Sequence, residues 1–184
     1  MIPEMSHSAY EFENTTQYKS HLKKTMRYLK KKIHSHHVVL DLGGCNPLTD
    51  AIRNRLSYNI HNTAGDLDTL FVMPKCIYDV IIYSHTIEHQ FNPLHTLERL
   101  KPVMDLNTRL YILLPERGKL LWCKGHFHEI DEYRMRLLIE RAGMQIISKT
   151  KQKIWRDWWF YFTGIKPIMR LFFEYHVIYE VKLK

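Results

Sequence analysis

The chain has 184 residues, is 45% hydrophobic and carries a formal net charge of +8; that is the size of one domain, with enough apolar content for a sizeable core. No apolar run reaches the roughly 18–20 residues of a membrane span, and "MIPEMSHSAYEFEN" is acidic and polar where a secretory leader is basic and then apolar, so a cytoplasmic setting is expected. Cys45, Cys76 and Cys123 are far apart with no C-x-x-C pair, which argues against a disulfide framework or a cysteine-rich zinc site and leaves them as reduced thiols.

From Thr16 to Ile33 the apolar residues Tyr18, Leu22, Met26, Leu29 and Ile33 recur every three or four positions among lysines, the pattern of an amphipathic helix. "HVVLDL", His37 to Leu42, reads as a strand buried on both faces and bounded by two glycines. In "NPLTDAIRNRL" Asn46 suits an N-cap and Pro47 a first helical position. "YNIHNTAGD" is a second strand, "YDVIIYS" a stronger one, and "NPLHTLERLKPVM" a helix with the same Asn-Pro start. "TRLYILLP" is another buried strand, "DEYRMRLLIERAG" a helix ending on Gly143, and "MQIISKTKQ" and "HVIYEVKLK" are the last two strands. This alternation predicts an α/β fold: a mostly parallel, doubly wound, Rossmann-like sheet with helices on both faces and an antiparallel last strand. The division expected is a single domain over 1–184, with a basic helical extension at 1–36, a core at 37–150, an aromatic basic insertion at 151–175 and a last strand at 176–184.

The charge lies at the ends. Residues 1–36 carry seven Lys/Arg against three Glu, residues 149–184 eight against three Asp/Glu, and the middle twelve against thirteen. Such ends suit a solvated face, nucleic acid, anionic lipid or an acidic substrate.

Residues His85, Glu88 and His89 have the H-x-x-E-H spacing of an inverted zincin. In such an enzyme both histidines lie within a helix. Here a β-branched strand runs to Ser84 and the next helix starts at Asn92 and Pro93, so the run is expected in a strand-to-helix loop. No third metal ligand is predicted, and the expected metal is none.

"VLDLGGCNP" resembles the first motif of the class I S-adenosylmethionine-dependent methyltransferases, D-x-G-x-G-x-G, with Asp41, Gly43, Cys45 and Pro47 at its positions and two of its three glycines replaced. "YDVIIYSHTIEHQFNPLHTLERL" is similar to the family's fourth strand and E-H loop, "RLYILLPE" to its fifth strand, and "GHFHEIDEYRMRLLIERAGMQII" to the family's next loop, helix and A-G-F/M turn. Four motifs in order cover about residues 37–150, in the manner of the small type 11 and type 23 methyltransferases.

The resemblance implies S-adenosylmethionine as cofactor, met by Asp41, Gly43, Gly44, Cys45, Asp66, Leu67, Asp68, Ser84 and His85. Physically, the two glycines allow a sharp turn with close backbone approach, and the helix opening at Asn46 and Pro47 points its positive end at a carboxylate. Asp41 would sit near the cofactor's ammonium or orient the turn. Asp66 is either the acidic residue after strand two that takes the ribose hydroxyls or the one after strand three that meets the adenine amine; the segment from Asn62 to Asp79 is too short for both in their usual places.

Methyl transfer to a hydroxyl needs alignment and a base, and a histidine titrates in the right range. His89 and His85 are the expected catalytic residues. His126, His128 and Arg156 are the expected substrate contacts. "YSHT" stands where amino-methyltransferases carry Asn/Asp-Pro-Pro-aromatic, which favours an oxygen acceptor. "WRDWWFYFTGIKPIMRLFFEY" holds three of the four tryptophans beside Arg156, Lys166 and Arg170; it suits a lid over the substrate, an element lying on the inner face of a membrane, or a dimer contact. The resulting expectation is O-methylation of a small-molecule, glycan or lipid-linked acceptor. An RNA methyltransferase and a degenerate, non-catalytic binding protein of the same fold are the alternatives.

Overall fold

The computed structural model describes residues 16–56, 59–116, 121, 126–153 and 155–184. The acidic stretch before residue 16 and Cys123 lie outside them. Helix α1 (Thr16–Leu29) forms over most of the expected span. Its axis ends four residues before Ile33, but hydrogen bonds from Lys30 N–H to Met26 and from Ile33 N–H to Leu29 carry the turn on, and Met26, Leu29 and Ile33 are buried.

Strand β1 (Val39–Asp41) is followed by α2 (Pro47–Leu56), β2 (Ile60–Asn62), the short β3 (Ala64–Gly65) and β4 (Phe71–Val72), and β5 (Val80–Ser84). A single 3-10 turn, Ile87–His89, then leads to α3 (Pro93–Leu100), which the Asn92 side chain caps by accepting from His95 N–H at 3.2 Å. Strand β6 (Arg109–Glu116), α4 (Glu132–Arg141), β7 (Met144–Lys153), α5 (Ile165–Phe173) and β8 (Tyr175–Leu183) complete the order. Helix α4 starts on the Asp131 cap and stops at Gly143, whose φ of +72° is the left-handed value that glycine takes most readily after a helix.

The sheet runs β2-β1-β5-β6-β8-β7. Its first four strands are mutually parallel, and β8 is antiparallel to both β6 and β7, the arrangement the sequence predicts. Alternation along the strands sorts the core into two layers. Ile81 and Tyr83, Leu110 and Ile112, and Val177 and Tyr179 face α3 and α4, packing on Leu97, Leu100, Met135 and Ile139. Val80, Ile82, Tyr111, Leu113 and Ile178 face α1 and α2, packing on Leu29, Ile33, Leu48 and Ile52. Each fully buried aliphatic side chain contributes about 1.5–3 kcal/mol of transfer free energy. The same parity puts the even-numbered β8 positions His176 and Glu180 on the α1 side, where Glu180 pairs with Lys32 at 3.0 Å.

Two parts depart from the expected outline. The run "YNIHNTAGD", expected as one strand, is divided: only β2 joins the main sheet, while β3 pairs antiparallel with β4 as a separate hairpin. Gly65, at φ +103°, sits so close to Leu70 that an added Cβ would meet its carbonyl oxygen, which fixes glycine there. The insertion folds as a 3-10 stretch, Trp158–Phe162, and α5, which buries none of its side chains. It leaves β7 at Lys153 and re-enters at Tyr175, which pairs with Glu116 at the end of β6. It therefore stands at the carboxyl edge of the parallel strands. Arg156 and Arg170 anchor it on Glu174, at 3.2 and 2.8 Å, and Glu174 is only 1% exposed.

Candidate functional site

The chain turns to opposite sides of β1 when it forms β2 and when it forms β5, so the strand order reverses between β1 and β5. A cleft of about 520 Å³ opens at their carboxyl ends, the place where open parallel sheets bind ligands. One wall is the turn after β1: Leu42, Gly43, Gly44, Asn46, Pro47 and Leu48. Gly43 has φ +107°, and a Cβ built at Gly44 meets nothing within 4 Å, so the backbone is bare toward open space. Asn46 caps α2, accepting from Leu48 N–H at 2.9 Å and Thr49 N–H at 3.1 Å.

Beneath this turn Asp41 is fully buried. Its Oδ2 accepts from Thr49 Oγ1 at 2.5 Å and from Asn46 Nδ2 at 3.1 Å, while Oδ1 has no hydrogen-bond partner among the described residues. Burial pushes its carboxyl up to about 6, against the pull of the Thr49 and Asn46 bonds. Thr63 Oγ1 accepts from Gly43 N–H at 2.7 Å, and the Asn62 amide donates to Gly43 O at 3.3 Å and Thr49 Oγ1 at 3.2 Å. Asn62 thus ends β2 by bracing the glycine turn.

The opposite wall is Ser84, His85, Thr86, Glu88 and His89, in the loop expected from the sequence. His85 takes φ +52°, unusual for a side chain with a Cβ, and its N–H is held by Leu113 O at 2.8 Å. Its Nδ1 lies 3.4 Å from Oε1 of Glu88, which is buried. Burial raises the Glu88 carboxyl, but the bond and charge of His85 outweigh it and hold the group below the usual carboxylate range. His126, from the loop before α4, closes this side with its ring at 4.8 Å from that of His89. Backbone bonds from Phe127 and His128 to Glu88 O tie the two loops together.

Tyr18, His21, Leu22 and Thr25 of α1, with Pro115 of β6, complete the cleft. None of these was expected as a site residue; Tyr18 and Leu22 were read only as apolar positions of the helix. His21 was legible only as a polar residue beside Leu22 on the helix's apolar stripe. Its Nε2 is 3.0 Å from His85 Nε2 and 3.4 Å from His176 Nε2, and it also contacts His176 Nδ1. Burial, with His85 and Lys24 nearby, lowers His21 to about 3, and burial likewise carries His176 well below the ordinary histidine value.

Of the expected cofactor contacts, Gly43, Gly44, Ser84 and His85 line the cleft and Asp41 lies directly behind it. The others are elsewhere. Cys45 is exposed and donates to Asp50 at 3.2 Å. Asp66 is an exposed turn residue accepting from Asp68 N–H and Thr69 Oγ1, at 2.9 and 3.2 Å. Leu67 is core, and the Asp68 carboxylate holds Phe91 N–H and Asn92 N–H, each at 2.9 Å. Of the expected substrate contacts only His126 reaches the cleft. His128 bonds to Phe91 O at 3.3 Å, and Arg156 is committed to Glu174.

No known protein-family pattern matches the sequence, and no curated protein matches it either. Solved structures do. A chain of the Haloferax volcanii complex between the Trm112 methyltransferase activator and a methyltransferase aligns with a TM-score of 0.66, at 13% identity over 94% of each chain. The 1,6-didemethyltoxoflavin-N1-methyltransferase of Burkholderia thailandensis, solved with S-adenosylhomocysteine, aligns at 0.59 and 13% identity, over 96% of this chain and 83% of its own. The [4+2]-cyclase SpnF aligns at 0.61 and 11% identity, over 90% and 82%. The fold is that of the class I methyltransferases. An N-methyltransferase and a cyclase among the neighbours mean that this fold by itself selects neither the acceptor atom nor the reaction.

Proposed function

We propose that the chain is an S-adenosylmethionine-dependent methyltransferase acting on an oxygen of a small-molecule, glycan or lipid-linked acceptor. The observation that carries the reading is the bare Gly43–Gly44 turn at the N-terminus of α2, opening into the cleft at the switch point between β1 and β5. Open space at the Gly44 Cβ position fits a ligand that packs against backbone, and the amides of the first turn of α2 suit its carboxylate. Gly43, Gly44 and Ser84 would hold the cofactor, with Asp41 bracing the turn from behind.

When bound, S-adenosylmethionine, held by Gly43, Gly44 and Ser84, would supply an electrophilic methyl group for displacement by the acceptor oxygen, its sulfur keeping the bonding pair. The chain's part is to align the acceptor and take its proton. His89 is the base, on the cleft wall with its ring against that of His126. Tyr18, His21, Leu22 and Thr25 of α1 form a further wall of the same space. Exposed Trp158, Trp159 and Phe162, with α5 at the same edge of the sheet, favour a lipid-linked acceptor over a freely soluble one.

Calorimetry with S-adenosylmethionine and S-adenosylhomocysteine tests the reading. Binding of both is expected, weakened in Gly44→Ala with thermal stability unchanged; a folded protein that binds neither overturns it. His89→Ala should leave cofactor affinity intact and lower the methylation rate by roughly 10²–10⁴. Sedimentation with anionic vesicles that fails at every salt concentration removes the lipid-linked acceptor. A second reading, cofactor binding without methyl transfer, is favoured by Asn62 and the exposed Asp66, which leave no acidic side chain on the cleft near the end of β2 among the described residues; tight binding with no turnover on any acceptor would establish it.

A further inference from the structure

The H-x-x-E-H run is not arranged as a zincin, yet one of its histidines belongs to a different set. His21 of α1, His85 after β5 and His176 of β8 bring their ring nitrogens together, with the ligand atoms all within 4.8 Å of one another. Hydrogen bonding explains this convergence poorly. A neutral imidazole nitrogen either donates one proton or accepts at one lone pair, and His21 Nε2 faces His85 Nε2, both nitrogens of His176 and, at 3.5 Å, Thr25 Oγ1. One nitrogen cannot serve them all.

We infer that His21, His85 and His176 form a site for one divalent transition-metal ion of the zinc kind. Three imidazoles around a tetrahedral zinc, each about 2.0–2.1 Å from it, have nitrogens roughly 3.3 Å apart. The Nε2 separations of 3.0 Å for His85–His21 and 3.4 Å for His21–His176 bracket that value. The outer contacts also fit. Glu88 faces the far nitrogen of His85, the carboxylate–histidine pairing that fixes a ligand's tautomer. His176 is 1% exposed, while His21 and His85 line the cleft, so three ligands come from protein and the fourth position opens to solvent or an acceptor oxygen. A hydroxyl held at that position would give up its proton more readily than in water, and His89 lines the same cleft. That role rests on the methyltransferase reading; the binding of the ion does not.

The test uses the full chain stripped of metal and titrated with Zn(II) and, separately, Co(II), with no cofactor present. One ion per chain is expected, with a rise in melting temperature and, for Co(II), the intense visible absorption of a four-coordinate site. Glu88→Gln should weaken binding by about 10–100-fold, and His21→Ala and His176→Ala by more. His21 is only half-buried, so its variant tests the site should His176→Ala fail to fold. His89→Ala should leave metal affinity unchanged. No binding to the folded wild type overturns the inference. So does binding that survives His21→Ala and disappears in His89→Ala or His126→Ala, or one that disappears only when His34, His36 and His37, whose rings cluster before β1, are replaced. S-adenosylhomocysteine titrated into the same samples reports on the methyltransferase reading independently.

Discussion

Asp41 is a carboxylate placed where water does not reach, under a turn that needs its hydrogen bonds. Its pKa rises on folding from 3.8 to about 6. Between those values the native state holds a proton that the unfolded chain has released, so this group's contribution to stability is greatest below about pH 4 and declines as the pH rises through 6. Asp41→Asn removes the decline. Denaturant titrations at pH 4 and pH 7 should show the wild type losing on the order of 2 kcal/mol relative to the variant over that interval; parallel curves would mean that Asp41 is not desolvated. At this scale the sequence was legible wherever local rules decide. Asn46 and Asn92 cap their helices and Gly43 takes a positive φ as their neighbours require. Asp66 and Asp68 lie in a local turn instead of on the cleft, because an aspartate followed by turn residues satisfies nearby backbone as readily as it meets a ligand.

Among the elements, strands and helices of the core follow from continuous apolar runs and 3.6-residue stripes, and their limits differ from the expected ones by a few residues. The division of "YNIHNTAGD" between β2 and the β3–β4 hairpin carried no periodic signal, because Thr63, Ala64 and Gly65 break the apolar alternation. The insertion was harder to read, because consecutive aromatic residues from Trp158 to Phe162 mask any period. What holds it is Glu174, buried between Arg156 and Arg170, with the Arg156 guanidinium also 4.6 Å from the Phe160 ring centre. Removing one partner of a buried pair costs about 3–5 kcal/mol because the other charge is left behind. Glu174→Ala should therefore expose residues 155–174 to limited proteolysis at protease concentrations where the wild type resists. Equal resistance would show that aromatic packing alone seats the insertion.

At the scale of the whole molecule the alternation of strands and helices specified the sheet, but not which distant side chains would meet. His21 and His176 are 155 residues apart. Their meeting depends on β8 lying next to β6 in one register, and a slip of one residue would turn His176 to the opposite layer. That position of β8 has a consequence for how the chain reaches its native state. The strand that is last in sequence is interior in the sheet, between β6 and β7. During synthesis β7 is therefore complete before β8, the strand it pairs with, exists, and the aromatic insertion emerges while its anchor on Glu174 is still unformed. Pairing across such sequence distances is slow and leaves apolar surface open meanwhile. A chain cut before Tyr175 should lack cooperative unfolding and aggregate, and in vitro refolding should show protection of β7 amides arising together with that of β8, never before it.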